Sequence, residues 1–206
     1  MAKETEMEIK LLVAKEDLSK LLASSLFTGT YIADSEKILH LTNWYYDTPT
    51  LSLKNNGLAY RIRKTNEAYE ATVKTKGQNR GGFSIRGEYT VPLQDKKVIT
   101  EGFAPEIDSQ LKKLLKGTAL GEWFYITVTR QVYLLQVTPE TVLEMSIDEG
   151  EIRANQEREL VAEVELEIKK GTKEDLFAFL GACQKHFTIT PETRSKWQRG
   201  MALATK

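Results

Sequence analysis

Apolar and polar residues alternate with a period of two along most of this chain. In "EMEIK", residues 6–10, Glu6, Glu8 and Lys10 fall on one face of an extended strand, and Met7, Ile9 and Leu11 on the other. Side chains at i and i+2 share a face about 6.6 Å apart. "EVELEIK", residues 163–169, repeats the pattern, with Glu163, Glu165 and Glu167 opposite Val164, Leu166 and Ile168. Alternation of this kind predicts strands at 4–13, 38–47, 57–64, 68–76, 83–92, 122–137, 141–148, 150–154 and 158–169. Apolar spacing of three and four predicts helices near 15–23, 106–116, 172–185 and 192–203. Asn or Gly sits between alternating runs in "LKNNGLAYRIR", "RKTNEAYEATVK" and "TKGQNRGGFSIRGEY", which marks hairpins. About eight antiparallel strands in one domain point to a closed barrel or a strongly curved sheet.

The polar faces carry charge of both signs, sorted by strand. Arg61 and Arg63 share a face, as do Glu70, Lys74 and Lys76, then Arg86 and Glu88, with Arg130 on a strand that alternates less cleanly. Glu144 and Asp148 join the three late glutamates on the acidic side. A solvated outer face more often mixes in uncharged polar residues. Strands with apolar opposite faces, covered by amphipathic helices, describe an inside-out barrel with a charged lumen. Such a lumen suits a polyphosphate: arginine forks hold two oxygens each and lysine acts as a mobile point charge. Carboxylates beside a bound polyanion repel it unless a hard divalent ion, Mg2+ or Mn2+, intervenes with its preference for oxygen ligands.

Composition narrows the class. The 206 residues hold 29 basic and 29 acidic side chains, for no net charge, which argues against a general nucleic-acid or anionic-membrane binder. One cysteine, Cys183, in the helix-like run "EDLFAFLGACQKHF", excludes an internal disulfide and a Cys-rich zinc site and reads as a small buried residue. The N-terminal segment has no apolar leader and no run approaches the length of a membrane span, so a cytoplasmic chain of one domain, residues 1–206, is expected, with no nucleic-acid or membrane partner. His40 and His186 lack a metal-like partner at suitable spacing, and Trp44, Tyr45 and Tyr46 read as barrel-wall packing. "QNRGG" reads as a hairpin loop, because no helix start follows it. Nothing in the pattern indicates an oligomeric state.

The ordered set "EMEIK", "RIR", "TVKTKG", "GGFSIRGEY", "SIDEGEI", "EVELEIKKG" and "TRSKWQRG" resembles the CYTH family, also called triphosphate tunnel metalloenzymes, over roughly residues 4–203. It is most similar to the CYTH domains of bacterial inorganic triphosphatases. The resemblance implies an α+β fold: an eight-stranded antiparallel β-barrel tunnel with a charged lumen and helices packed outside. It implies metal-dependent hydrolysis of tripolyphosphate or another triphosphate compound. Glu6, Glu8, Glu163 and Glu165 match metal-side carboxylates, and Lys10, Arg61, Arg63, Lys74, Lys76, Arg86 and Arg130 match the triphosphate grip. Glu144 and Asp148 match acidic positions around metal and attacking water, and Lys196 a lysine brought to the tunnel by the last helix. Glu88, Glu167 and Lys76 fit the face, but their roles vary among relatives. Thiamine or nucleoside triphosphate hydrolysis, cyclic AMP formation as in class IV adenylyl cyclases, and non-catalytic polyphosphate binding use the same grip. Those cyclases carry "HF" ahead of ExExK, where this chain has "MAKET".

Overall fold

The computed structural model describes residues 4–206; the expected absence of an apolar leader and the domain reading at residues 1–3 lie outside the described residues. In chain order the elements are β1 (Glu4–Val13), α1 (Lys15–Ala23), α2 (Ser25–Thr28), β2 (Lys37–Asp47), α3 (Ser52–Asn55), β3 (Leu58–Thr65), β4 (Ala68–Thr75), β5 (Gln78–Arg80), β6 (Phe83–Leu93) and α4 (Pro105–Leu115). Then come β7 (Gly121–Gln136), β8 (Val142–Ala154), β9 (Glu157–Lys170), α5 (Lys173–Gln184), β10 (Ile189–Pro191) and α6 (Lys196–Ala204). Antiparallel pairing runs β1-β9-β8-β7-β2-β3-β4-β6, and β6 pairs back onto β1, which closes an eight-stranded barrel. β5 and β10 attach to its rim, on β6 and β1.

Most of the barrel's apolar strand faces point outward, and two helical covers bury them. α1, α2 and α5 pack on one side over Ile9, Leu11, Leu135, Leu143, Met145 and Leu166, with Cys183 buried among them. α4 and α3 pack on the other over Tyr60, Ile62, Ala71 and Val73. α5 is capped by Thr172, whose hydroxyl accepts from the Asp175 N–H (3.2 Å), and α4 opens on Pro105 at its first turn, where a missing N–H costs nothing.

α6 is placed differently. Its Met201 and Leu203 pack with Leu41, Tyr45, Phe124, Ile126 and Val128. Those residues share strand faces with Asn43 and Arg130, so α6 seats on the lumen face of the long β7–β8–β9 wall. Its first turn is fixed by a capping box: the Gln198 N–H donates to Ser195 Oγ (3.2 Å), and the Ser195 N–H to Gln198 Oε1 (2.8 Å).

The strands expected at 141–148 and 150–154 are one strand, β8, running through Gly150. The last helix starts at Lys196 rather than near 192, because residues 189–191 pair with β1 as β10.

Candidate active site

The barrel encloses a cavity of about 790 Å³ lined from β1, β3, β4, β6, β8 and β9 by charged side chains. Of the residues expected there, Glu6, Glu8, Lys10, Arg61, Arg63, Lys74, Lys76, Arg86, Glu88, Arg130, Glu144, Asp148, Glu165, Glu167 and Lys196 all line it. Lys76 sits at the exposed rim. Glu163 lies behind Lys196, bonded to it and to Arg199. Where β2 and β7 face α6 the lining turns apolar, through Leu41, Tyr45, Ile126 and Val128. Trp44 and Tyr46 do pack the outer wall, whereas Tyr45 points inward and stacks on Phe124 at 4.7 Å between ring centres. His40, beside Thr129, and His186, beside Phe187, stand away from the lumen lining.

Strand register decides which charges meet. Cross-strand partners on β8 and β9 are Asp148 with Glu163, Ser146 with Glu165, and Glu144 with Glu167; across β9 and β1 they are Glu165 with Lys10, and Glu167 with Glu8. Carboxylates directly opposite one another destabilise a sheet unless cations intervene. Here they do. The Lys196 ammonium reaches Asp148 (2.7 Å), Glu165 (3.0 Å) and Glu163. Arg130 donates a two-pronged pair to Asp148 (2.6 and 2.7 Å) and a further bond to Glu165 (2.6 Å). Asp148, Glu163 and Glu165 each present an oxygen within 4.8 Å of the others, a cluster with the geometry to hold a metal ion. Of the expected metal-side set, Glu163 and Glu165 belong to this cluster. Glu6 and Glu8 lie on the adjoining strand, engaged by Arg86 at 2.6 and 3.1 Å, with Lys74 at 3.3 Å from Glu6 and Lys10 against Glu8.

The opposite wall is cation-rich. Arg61 and Arg63 share one carboxylate, Glu70, at 3.7 and 3.8 Å. Arg63 also donates to Asn43 (2.7 Å) and Arg61 to Thr72 (3.2 Å), while the buried Arg61 Nε has no hydrogen-bond partner among the described residues. Burial, with Arg61 and Arg130 nearby, pulls Arg63 down to about 9. Burial and the adjacent Arg86 hold Lys74 well below the usual lysine range. A guanidinium does not give up its proton in practice, so the downward pull on Arg63 marks a buried cation with little counter-charge around it.

The carboxylates differ among themselves. Burial would raise Glu6, but Lys74, Arg86 and Lys10 outweigh it and bring it to about 2. Burial also opposes ionisation of Asp148 and Glu165, yet Lys196 and Arg130 hold both below the ordinary carboxylate range. Glu163 and Glu167 are raised, chiefly by burial, with Glu165 adding to the first and Glu144 to the second. Burial would lower Lys196, but Glu165, Asp148 and Glu163 hold it above its usual value. Glu144 makes no ion pair among the described residues within 4.0 Å and accepts only a long hydrogen bond from Ser146 Oγ (3.4 Å).

Pattern reading had missed Asn43, Tyr45 and Arg199. Arg199 follows Lys196 by three positions, so helical spacing alone puts the two on one face; that signal was present in "SKWQRG".

A closed barrel whose polar faces meet around a cavity charged with both signs defines a β-barrel tunnel with a charged interior. Residues 4–200 match the CYTH domain model, and the chain belongs to the CYTH domain family. It is 30% identical to the inorganic triphosphatase of Haemophilus influenzae over 209 residues, matching 98% of this chain and 55% of that protein, so it spans about half the length of that curated relative. Among solved structures, a Hippeastrum protein, named as an adenylyl cyclase with a dominant triphosphatase activity, superposes with a TM-score of 0.63 at 19% identity, covering 96% of this chain and 95% of that one. The Mimivirus capping enzyme triphosphatase superposes with a TM-score of 0.52 at 11% identity, covering 88% of this chain and 89% of that one. These two likenesses concern the fold. No helix among the described residues is long and apolar enough to cross a membrane.

Proposed function

We propose that this chain hydrolyses inorganic tripolyphosphate to pyrophosphate and phosphate, with Mg2+ or Mn2+ as cofactor. The observation that carries the reading is the pairing, in one cavity, of guanidinium groups short of partners (Arg61 and Arg63, which share the single carboxylate of Glu70) with a three-carboxylate cluster on the facing wall. The triphosphatase named among its relatives supports the same reaction class.

The donor set fits a hard divalent ion: Asp148, Glu163 and Glu165 offer only oxygens, within 4.8 Å of one another, as Mg2+ and Mn2+ prefer. Glu8, one register step away beside Lys10, and Glu6 extend that set. When bound, the ion supplies neutralisation of phosphate charge and polarisation of the bond to be broken. The chain's own groups do the rest. Arg61, Arg63, Lys74, Arg86, Arg130 and Lys10 hold phosphate oxygens along the tunnel, with Lys76 at the rim. Lys196 sits on the cluster, where it meets the charge developing at the reacting end. Glu144, with no ion pair among the described residues to occupy it, orients the attacking water and draws its proton, while Asp148, clamped by Arg130 and Lys196, fixes the electrostatics around it. Water then attacks the terminal phosphorus in line and pyrophosphate leaves. Positioning and preorganised charge supply most of the acceleration in phosphoryl transfer.

The test is phosphate release from tripolyphosphate, ATP and thiamine triphosphate, each with Mg2+, Mn2+ or a chelator. Metal-dependent release, greatest for tripolyphosphate, is expected. Preference for an organic triphosphate, or formation of cyclic AMP, would replace the substrate assignment. Tight binding without turnover would make the chain a polyphosphate-binding module.

A further inference from the structure

We propose that Arg199 is a positioning residue for this reaction, acting through Glu163 to set the place of the Lys196 ammonium in the tunnel. The proposal rests on the triphosphatase reading above. Lys196 opens α6, so its direction follows from how that helix is seated. Arg199 is 6% exposed and spends its whole fork on β9: Nε donates to Glu159 (2.6 Å), Nη1 to Glu163 Oε2 (3.0 Å) and Nη2 to the Leu160 carbonyl (2.6 Å). Glu163 is thereby gripped at both oxygens, since Lys196 bonds to Oε1. With one oxygen committed to Arg199, the glutamate cannot rotate, and Lys196 is divided in a fixed way among Glu163, Glu165 and Asp148.

The next residue reinforces this. Gly200 lies so close to Phe124 that an added Cβ would stand 2.6 Å from the ring's Cζ. α6 therefore rests directly on a ring stacked against Tyr45, a lumen residue. A seat made of one guanidinium and one ring face fixes both the height and the rotation of the helix. A displacement of about 1 Å at a charged reacting group can cost on the order of 100-fold in rate.

A lysine ammonium, with its donors on one nitrogen, cannot span the three acceptors that the planar fork of Arg199 reaches, but it keeps the buried charge, so Arg199→Lys is the variant of choice and Arg199→Gln the stronger one. We expect Arg199→Lys to melt within about 8 °C of wild type, a loss of roughly 2–4 kcal/mol in a chain of this size, and to lose about 10- to 100-fold in kcat on tripolyphosphate. The decisive readout is a cycle with Lys196→Ala: if Arg199 acts through Lys196, Arg199→Gln adds little to the loss in the Lys196→Ala background. Losses that multiply in the double variant, or wild-type kcat in folded Arg199→Lys, would overturn the proposal. The same cycle is read by calorimetric titration of tripolyphosphate in chelator, which needs no turnover. Should wild type bind tripolyphosphate without hydrolysing it, the functional reading fails alone, and additivity in affinity still decides Arg199. A wild type that neither binds nor turns over triphosphates overturns both.

Discussion

Two carboxylates of the same wall, Glu144 and Asp148, illustrate how much a residue's role depends on its immediate partners. They are four positions apart on β8 and face the same lumen. Asp148 is fully buried and bonded to both Arg130 and Lys196, so it cannot accept a proton without dismantling that network. Glu144 makes no ion pair among the described residues; it accepts from Ser146 Oγ and faces Glu167 across the strands. Glu144→Gln is therefore expected to lower kcat for tripolyphosphate by about 10²- to 10³-fold, the usual weight of general base catalysis, with KM changed far less. Initial rates across substrate concentration check this; an unchanged kcat would hand the water to another carboxylate. Arg61→Ala is expected to act the other way, raising KM at least about tenfold, because removing a charged hydrogen-bond donor costs roughly 1.5–3 kcal/mol of binding.

At the scale of elements, two local devices set the lumen's shape. Gly150 on β8 lies against β7, where a Cβ would overlap the Thr127 carbonyl and approach Val128 Cα to 2.7 Å. Backbone cannot move aside as a flexible side chain can, so Gly150→Ala is expected to lower the melting temperature by several degrees, roughly 4 °C or more for a loss near 2 kcal/mol. A thermal melt that matches wild type would show that β7 yields. Asp47, at the end of β2, accepts from the N–H groups of Thr48 (2.7 Å), Leu53 and Lys54 (both 2.9 Å), and so ties down the start of α3 after the left-handed Leu51. Asp47→Ala leaves these buried donors unpaired, at an expected cost of about 2–4 kcal/mol in urea unfolding.

The same elements show what was legible in the sequence. Strict alternation on β1, β3, β4, β6 and β9 announced both the strands and their inward charges, because period two is a local property. The pattern divides β8 into 141–148 and 150–154 because nothing local signals that Gly150 packs tightly against β7 within one continuous strand. Which charges would meet was not legible, since Asp148 finds Glu163 through cross-strand register and Lys196 through the seating of α6, both products of closure. The sequence places Tyr45 with the wall packing of Trp44 and Tyr46 because a short aromatic run fits either face of a sheet.

For the whole molecule, closure turns two opposed sets of charges into a single titrating network, and its acid behaviour follows from the signs. Glu6, Asp148 and Glu165 have folded pKa values below their unfolded ones, Glu6 about 2 against 4.5. Their contribution is present above the unfolded value and is lost as pH falls through the folded one, because there the unfolded chain binds more protons. Glu163 and Glu167 run the opposite way: raised by burial, they oppose folding at neutral pH, and that opposition fades as pH falls through their folded values. Stability is thus expected to hold or rise slightly from pH 7 to about 5 and to drop below about 4.5, where the depressed carboxylates dominate. Urea midpoints at pH 7, 5 and 3 check the shape. Arg86 supplies much of the depression at Glu6, so Arg86→Met should be less stable at neutral pH and lose less between pH 4.5 and 2. An acid limb as steep as wild type's would mean that Glu6 owes its low value to Lys74 and Lys10, and that the grip on this side of the tunnel survives without its arginine.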